Sequence, residues 1–144
     1  MRGLKGKKVI VTGGASGIGK AICVRLAAEG CHVGIIDLDG DGAETVVRGI
    51  SDSGGFAQSY ACDISDYEAV KGAVTTIEET TGPSDVLVNN AGWDKAGRFL
   101  DTDPAFWEKV VKINYMGPLN MCHIVAGQMS ERGSGAIINI SSDA

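Results

Sequence analysis

Short unbroken apolar runs alternate along the chain with longer segments whose apolar positions recur every three to four residues, and the two periods separate strands from helices. Residues 8–12 (KVIVT) predict a strand buried on both faces. Residues 17–29 carry Ile18, Ile22 and Leu26 four apart on one face, which predicts a helix stopped by Gly30. A strand over 32–37, a helix over 41–53 and a strand over 56–62 continue the alternation. Ser65 with Glu68 fits a capping box that opens a third helix, ended by Gly82-Pro83. A fourth strand is predicted over 85–89 and a fifth over 136–141; between them Asp103 caps, and Pro104 starts, a long helix over 104–132.

Strands apolar on both faces and joined by helices belong to a parallel sheet covered on both sides. The predicted fold class is α/β, a doubly wound parallel sheet of order 3-2-1-4-5. Its first three strands are joined by right-handed crossovers before the chain crosses to strands 4 and 5. A ligand crevice then lies above the carboxyl ends of strands 1 and 4. No fixed-period repeat and no Pro- or Ser-rich linker interrupts the pattern, so residues 1–144 read as a single domain.

Composition narrows the classes. With 44% hydrophobic and 22% charged residues the chain has apolar surface enough for a core, and no apolar run approaches the roughly 18 residues of a membrane span. A net charge of -5 argues against nucleic acid as a partner, and the one basic cluster, Arg2, Lys5, Lys7 and Lys8, reads as a solvated N-terminus. Cys23, Cys31, Cys62 and Cys122 lack CxxC spacing and follow no signal peptide. They read as reduced thiols of a cytoplasmic protein. His32 and His123 stand alone, so no metal site is expected. Asn139-Ile140-Ser141 matches a glycosylation acceptor but lies in an apolar strand, and is read as chance. The 21 glycines are about twice the usual share of roughly 7%, which points to tight turns or close approach of backbone to a ligand.

Those glycines cluster where chemistry is expected. The first strand runs into Thr12-Gly13-Gly14-Ala15-Ser16-Gly17-Ile18-Gly19, a turn that opens a helix. A pyrophosphate needs backbone N–H groups aimed at it with no Cβ in the way, and a helix N-terminus adds a favourable dipole. Gly13 makes the turn, Gly17 lets the backbone approach, and Gly19 packs helix against sheet. Asp37 ends the second strand at the roughly 20-residue offset of a ribose-binding acid. Its carboxylate accepts from ribose hydroxyls and repels a 2′-phosphate, and Ser16 stands where a phosphate site would place Arg or Lys; NAD is therefore expected over NADP. Asp63 and the run Asn89-Asn90-Ala91-Gly92 reach the same sheet edge, where amide side chains can bond neighbouring loop backbone and Gly92 keeps the crevice open. Taken alone, these residues are equally consistent with turn formation. Pro118 has no N–H to give to the carbonyl of Asn114, which is left free or marks a simple kink beside Gly117.

In order and spacing along the whole chain, the turn TGGASGIG, Asp37, Asp63, NNAG at 89–92, Asn114 and INISS at 138–142 resemble the short-chain dehydrogenases/reductases. The resemblance implies a nicotinamide-dependent alcohol dehydrogenase or ketone reductase with an Asn-Ser-Tyr-Lys catalytic set and a small-molecule alcohol or ketone as substrate. Within the family the likeness is to dehydrogenases of hydroxyacyl-CoA type and to 3-oxoacyl-carrier-protein reductases, which would make the substrate an acyl thioester. It implies catalytic roles for Ser142, the second serine of its pair, and for Asn114, whose backbone carbonyl holds a water in the family's proton relay. The implied cofactor set is Gly13, Ser16, Gly17, Ile18, Gly19, Asp37, Leu38, Asp63, Ile64, Asn90, Ala91 and Gly92, with Asp63 and Ile64 at the adenine and Asn90 and Gly92 on the ribose side.

The family's Tyr-x-x-x-Lys does not appear after Ser142 in these 144 residues. Tyr67-Glu68-Ala69-Val70-Lys71 has that spacing but sits early in the third helix, and is read as coincidence. The expectation is a domain truncated before its last strands, with negligible hydride transfer of its own, since loss of a positioned acid/base typically costs roughly 10² to 10⁴ in rate. Residues among Val110, Ile113, Leu119, Met121, Ile124 and Val125 would face solvent and strand 5 would be a bare edge, favouring a homo-oligomer through the helix over 104–132, or aggregation. Two alternatives stay open: a non-catalytic nucleotide-binding or interaction module complete at 144 residues, and a methyltransferase binding S-adenosylmethionine, which leaves NNAG and the Ser-Ser strand end unexplained.

Overall fold

The computed structural model describes residues 3–142; Arg2 of the basic cluster lies outside them. Five parallel strands, β1 (Lys8–Thr12), β2 (His32–Asp37), β3 (Phe56–Ala61), β4 (Val86–Asn89) and β5 (Ala136–Asn139), form one sheet of order β3-β2-β1-β4-β5. This is the predicted doubly wound arrangement. Alternation along the strands divides the core between two faces. Val9, Val11, Val33, Ile35 and Val88 pack on one side against α1 (Gly17–Ala28) and α2 (Gly40–Asp52). Ile10, Ile36 and Leu87 pack on the other against α3 (Tyr67–Thr81) and α5 (Gly117–Arg132).

On α1 the expected apolar face meets the core only in part. Gly19, Cys23 and Ala27 are buried, while Ile18 is 67% exposed and Ile22 and Leu26 flank the core. The helix lies so close to the sheet at its start that a Cβ on Gly14 would stand 2.9 Å from Cys23 Sγ and 2.7 Å from Ile35. Only small residues fit that contact, so the large apolar side chains, whose period announces a helix, are turned to its flanks.

A second correction concerns the start of α3. Asp66, not Ser65, caps it, accepting the Ala69 N–H at 3.0 Å. Ser65 falls one residue too early, inside a turn in which its own N–H donates to Asp63 Oδ1 at 2.9 Å. The end of α3 at Gly82 is as predicted.

The long helix begins as expected, with Asp103 accepting the Phe106 N–H at 2.9 Å and Pro104 in the first turn. It divides into α4 (Pro104–Val111), a π-helical turn over Lys112–Met116, and α5. The π-turn falls where Pro118 withholds its N–H from the Asn114 carbonyl, and it places Asn114 at its centre. Exposure matches expectation only in part: Met121 and Val125 are buried, whereas Leu119 is exposed together with Trp107, Val111, Tyr115 and Met116. All of β5 is exposed, as a sheet edge.

Candidate functional site

A crevice of about 560 Å³ opens above the carboxyl ends of β1, β2 and β4. It brings together every residue of the expected cofactor set: the turn residues Gly13, Ser16, Gly17, Ile18 and Gly19; Asp37 and Leu38 after β2; Asp63 and Ile64 after β3; and Asn90, Ala91 and Gly92 after β4. Each group follows a strand end, and a parallel sheet turns all its strand ends to one edge.

Gly13 has φ 68°, a left-handed conformation that glycine adopts without strain, and this bends the chain out of β1. A Cβ on Gly19 would collide with the Gly13 carbonyl oxygen and Asn90 Nδ2, so α1 starts against bare backbone. Ser16 makes no side-chain capping bond and no acidic residue lies in the first turn of α1, which leaves the positive end of the helix toward the crevice.

Asp37 braces this turn as well as facing the crevice. Its Oδ2 accepts the Ala15 N–H and its Oδ1 the Asp39 N–H, both at 2.9 Å. A carboxylate has about four acceptor positions, so both oxygens keep capacity for a ligand. No Lys or Arg lines the crevice among the described residues.

Asn90 donates from Nδ2 to the carbonyls of Thr12 and Gly13, at 3.1 and 3.2 Å, which is the amide-to-loop bonding expected of it. Asn89 instead reaches other side chains, donating to Asn139 Oδ1 at 2.9 Å and Cys122 Sγ at 3.3 Å. Asn139, read as a chance glycosylation match, is thus engaged in the sheet. Sequence reasoning missed Thr12: it is 1% exposed, and its Oγ1 accepts the N–H groups of both Asn90 and Ala91, at 3.1 and 3.0 Å. A hydroxyl closing an otherwise apolar strand was the available signal. Ile36, Cys62, Trp93 and Ile113 also line the crevice and were not anticipated.

Asn114 acts through its side chain, with Oδ1 accepting the Trp93 N–H at 2.7 Å and Nδ2 donating to the Trp93 carbonyl at 2.8 Å. This two-point clamp fixes Trp93, whose ring also meets Phe106 at 5.4 Å and lies 3.8 Å beneath Lys109 Nζ. Ser142 follows β5 at the same edge of the sheet, exposed and outside the crevice lining; Asp143 and Ala144 lie outside the described residues. Tyr67 donates to or accepts from His123 Nδ1 at 3.0 Å, pairing α3 with α5 away from the crevice.

Sheet order, glycine turn and strand-end crevice define a Rossmann-type α/β domain. Residues 7–144 match the short chain dehydrogenase family, and the chain belongs to it. It is 36% identical to D-threitol dehydrogenase of Mycolicibacterium smegmatis over 141 residues, covering 98% of this chain and 54% of that one. Among solved structures it is similar to an NAD⁺-bound xylitol dehydrogenase (TM-score 0.93, 32% identity, 98% of this chain and 55% of that one). It is also similar to a metagenomic short-chain oxidoreductase in complex with NADP (TM-score 0.90, 36% identity, 96% and 63%). The chain thus spans little more than half the length of these relatives.

Proposed function

We propose that these residues form the cofactor-binding part of an NAD-dependent oxidoreductase acting on a secondary alcohol or the corresponding ketone. The observation that carries the choice of NAD is Asp37, an acid held by two backbone N–H groups at the mouth of a crevice without a basic lining residue. A 2′-phosphate there would meet like charge with no cation to offset it. Neighbours in the family carry NAD in one case and NADP in another, so this local chemistry, not the fold, makes the distinction.

The chain's own residues fit a dinucleotide. The N–H groups of the glycine turn bind the pyrophosphate, Asp37 accepts from the ribose hydroxyls, and Asp63 with Ile64 holds the adenine. Asn90, Ala91 and Gly92 wall the second ribose, and Trp93, clamped by Asn114, closes that end. When bound, the nicotinamide supplies or accepts a hydride. Ser142 then donates its hydroxyl hydrogen bond to the reacting oxygen, and the carbonyl of Asn114 orders a water for proton exchange. Moving the substrate proton calls for the Tyr and Lys that follow the serine in the family pattern, so turnover belongs to a chain that carries them.

Fluorescence titration tests the reading. NADH is expected to bind at least tenfold more tightly than NADPH, and Asp37→Ala to narrow that ratio. Equal affinities in the unsubstituted chain would remove the basis for NAD.

A further inference from the structure

Two contacts tie α5 to the wall of the crevice assigned to the adenine. Asn120, 9% exposed, donates from Nδ2 to the carbonyl of Ile64 at 3.0 Å. One turn earlier on α5, Gly117 lies so close to Ile64 that a Cβ there would stand 2.7 Å from Ile64 Cγ1 and would overlap Cδ1. Ile64 is itself 6% exposed and lines the crevice beside Asp63.

The peptide unit joining Ile64 to Ser65 is bonded on both of its sides. Its carbonyl accepts from Asn120, and its N–H donates to Asp63 Oδ1 at 2.9 Å. A peptide unit is a rigid plane, so fixing the direction of its carbonyl fixes the direction of its N–H. The carboxylate that receives that N–H is oriented in turn. Asn114, earlier on the same helical segment, clamps Trp93 on the opposite wall. A rise of roughly 1.5 Å per residue puts the two amides about 9 Å apart along the helix.

We propose that Asn120 is a positioning residue that orients the Asp63 carboxylate through the Ile64–Ser65 peptide, so that one helix spaces both ends of the crevice. Gly117 is the complementary feature, leaving Ile64 the room to keep that peptide in place. The inference rests on the dinucleotide reading of the crevice. It adds that recognition of the adenine amino group depends on a side chain that does not touch the adenine.

The test compares, on the full chain, NADH with its hypoxanthine analogue, in which a carbonyl replaces the adenine amino group, so that no exocyclic N–H remains to donate to the Asp63 carboxylate. The unsubstituted chain is expected to prefer NADH about tenfold, one hydrogen bond's worth of affinity. Asn120→Leu should bring that ratio to within about twofold of unity, whereas a general loosening of the fold would weaken both ligands alike and leave the ratio intact. Gly117→Ala should collapse the ratio by pushing on Ile64, and should add nothing further in an Ile64→Ala background; this cycle carries the test if Asn120→Leu does not fold. A ratio unchanged in Asn120→Leu overturns the role of Asn120, and one unchanged in Gly117→Ala overturns that of Gly117. A chain that binds NADH but shows no preference overturns the orientation of Asp63, and a chain that binds neither ligand overturns the cofactor reading beneath it.

Discussion

Thr12 shows how one hydroxyl can hold a site together. It ends β1, is 1% exposed, and receives the first two N–H groups after β4, while Asn90 returns two hydrogen bonds to the carbonyls of Thr12 and Gly13. These bonds close the floor of the crevice between its two central strands. Thr12→Val keeps the shape but strands two N–H groups, and is expected to cost about 2–4 kcal/mol. Thr12→Ser should cost less than about 1.5 kcal/mol. Urea unfolding of the two variants checks this; equal stabilities would mean that the hydroxyl is dispensable. The residue escaped sequence reasoning because a threonine at a strand end is unremarkable until the partner strand brings its donors alongside.

At the scale of elements, helix starts were read more reliably than helix faces. Asp103 and Pro104 mark α4 by local rules, since a cap and its N–H partner are three residues apart and need no distant contact. The same rules misassigned the cap of α3, where Ser65 and Asp66 both qualify and the choice depends on Asp63 having engaged the Ser65 N–H. Asp66→Ala should therefore destabilise by about 1 kcal/mol, and Ser65→Ala by much less, in paired thermal or urea melts. On α1 the period was right and Ile22 and Leu26 pack against the core, but Ile18 is exposed and the innermost line is Gly19, Cys23 and Ala27. The π-turn around Asn114 was half visible: Pro118 announces a broken hydrogen-bond ladder, but not the side-chain clamp on Trp93.

Across the whole molecule, burial and exposure make opposite predictions for the core thiols and for the surface of the long helix. Burial pushes the Cys23 thiol up to about 12 and the Cys62 thiol to about 11, in each case with a nearby aspartate adding to the shift. Both folded values lie above the ordinary thiol range. The neutral thiols therefore favour the folded chain fully below that range, and the contribution is lost as pH rises through it toward 11–12. At neutral pH the half-buried Cys122 should react first with a thiol reagent, and Cys23 and Cys62 only on unfolding. Mass mapping of alkylated native chain checks the order. At the surface, Trp107, Val111, Tyr115 and Leu119 lie exposed at intervals of four along α4, the π-turn and α5. We expect this surface to join copies of the chain, so that Tyr115→Glu with Leu119→Lys shifts the sedimentation coefficient toward that of a monomer. A chain already monomeric without the substitutions would exclude the surface as a self-association site.

The linear pattern by itself determined the alternation of strands and helices, the parallel sheet with its crossing point, and the convergence of the glycine turn, Asp37, Asp63 and Asn90 on one edge. These follow from periodicity, covalent geometry and the handedness of strand connections, which act over a few residues or hold for any right-twisted sheet. Tertiary structure alone decided which of two adjacent polar residues caps α3, which face of α1 meets the sheet, and how Thr12, Asn114 and Asn120 spend their hydrogen bonds. Apart from the α3 cap, where two adjacent candidates compete for local N–H groups, each of those outcomes depends on a partner far away in sequence, and a donor or acceptor carries no mark of its partner until the fold has brought the two within about 3 Å.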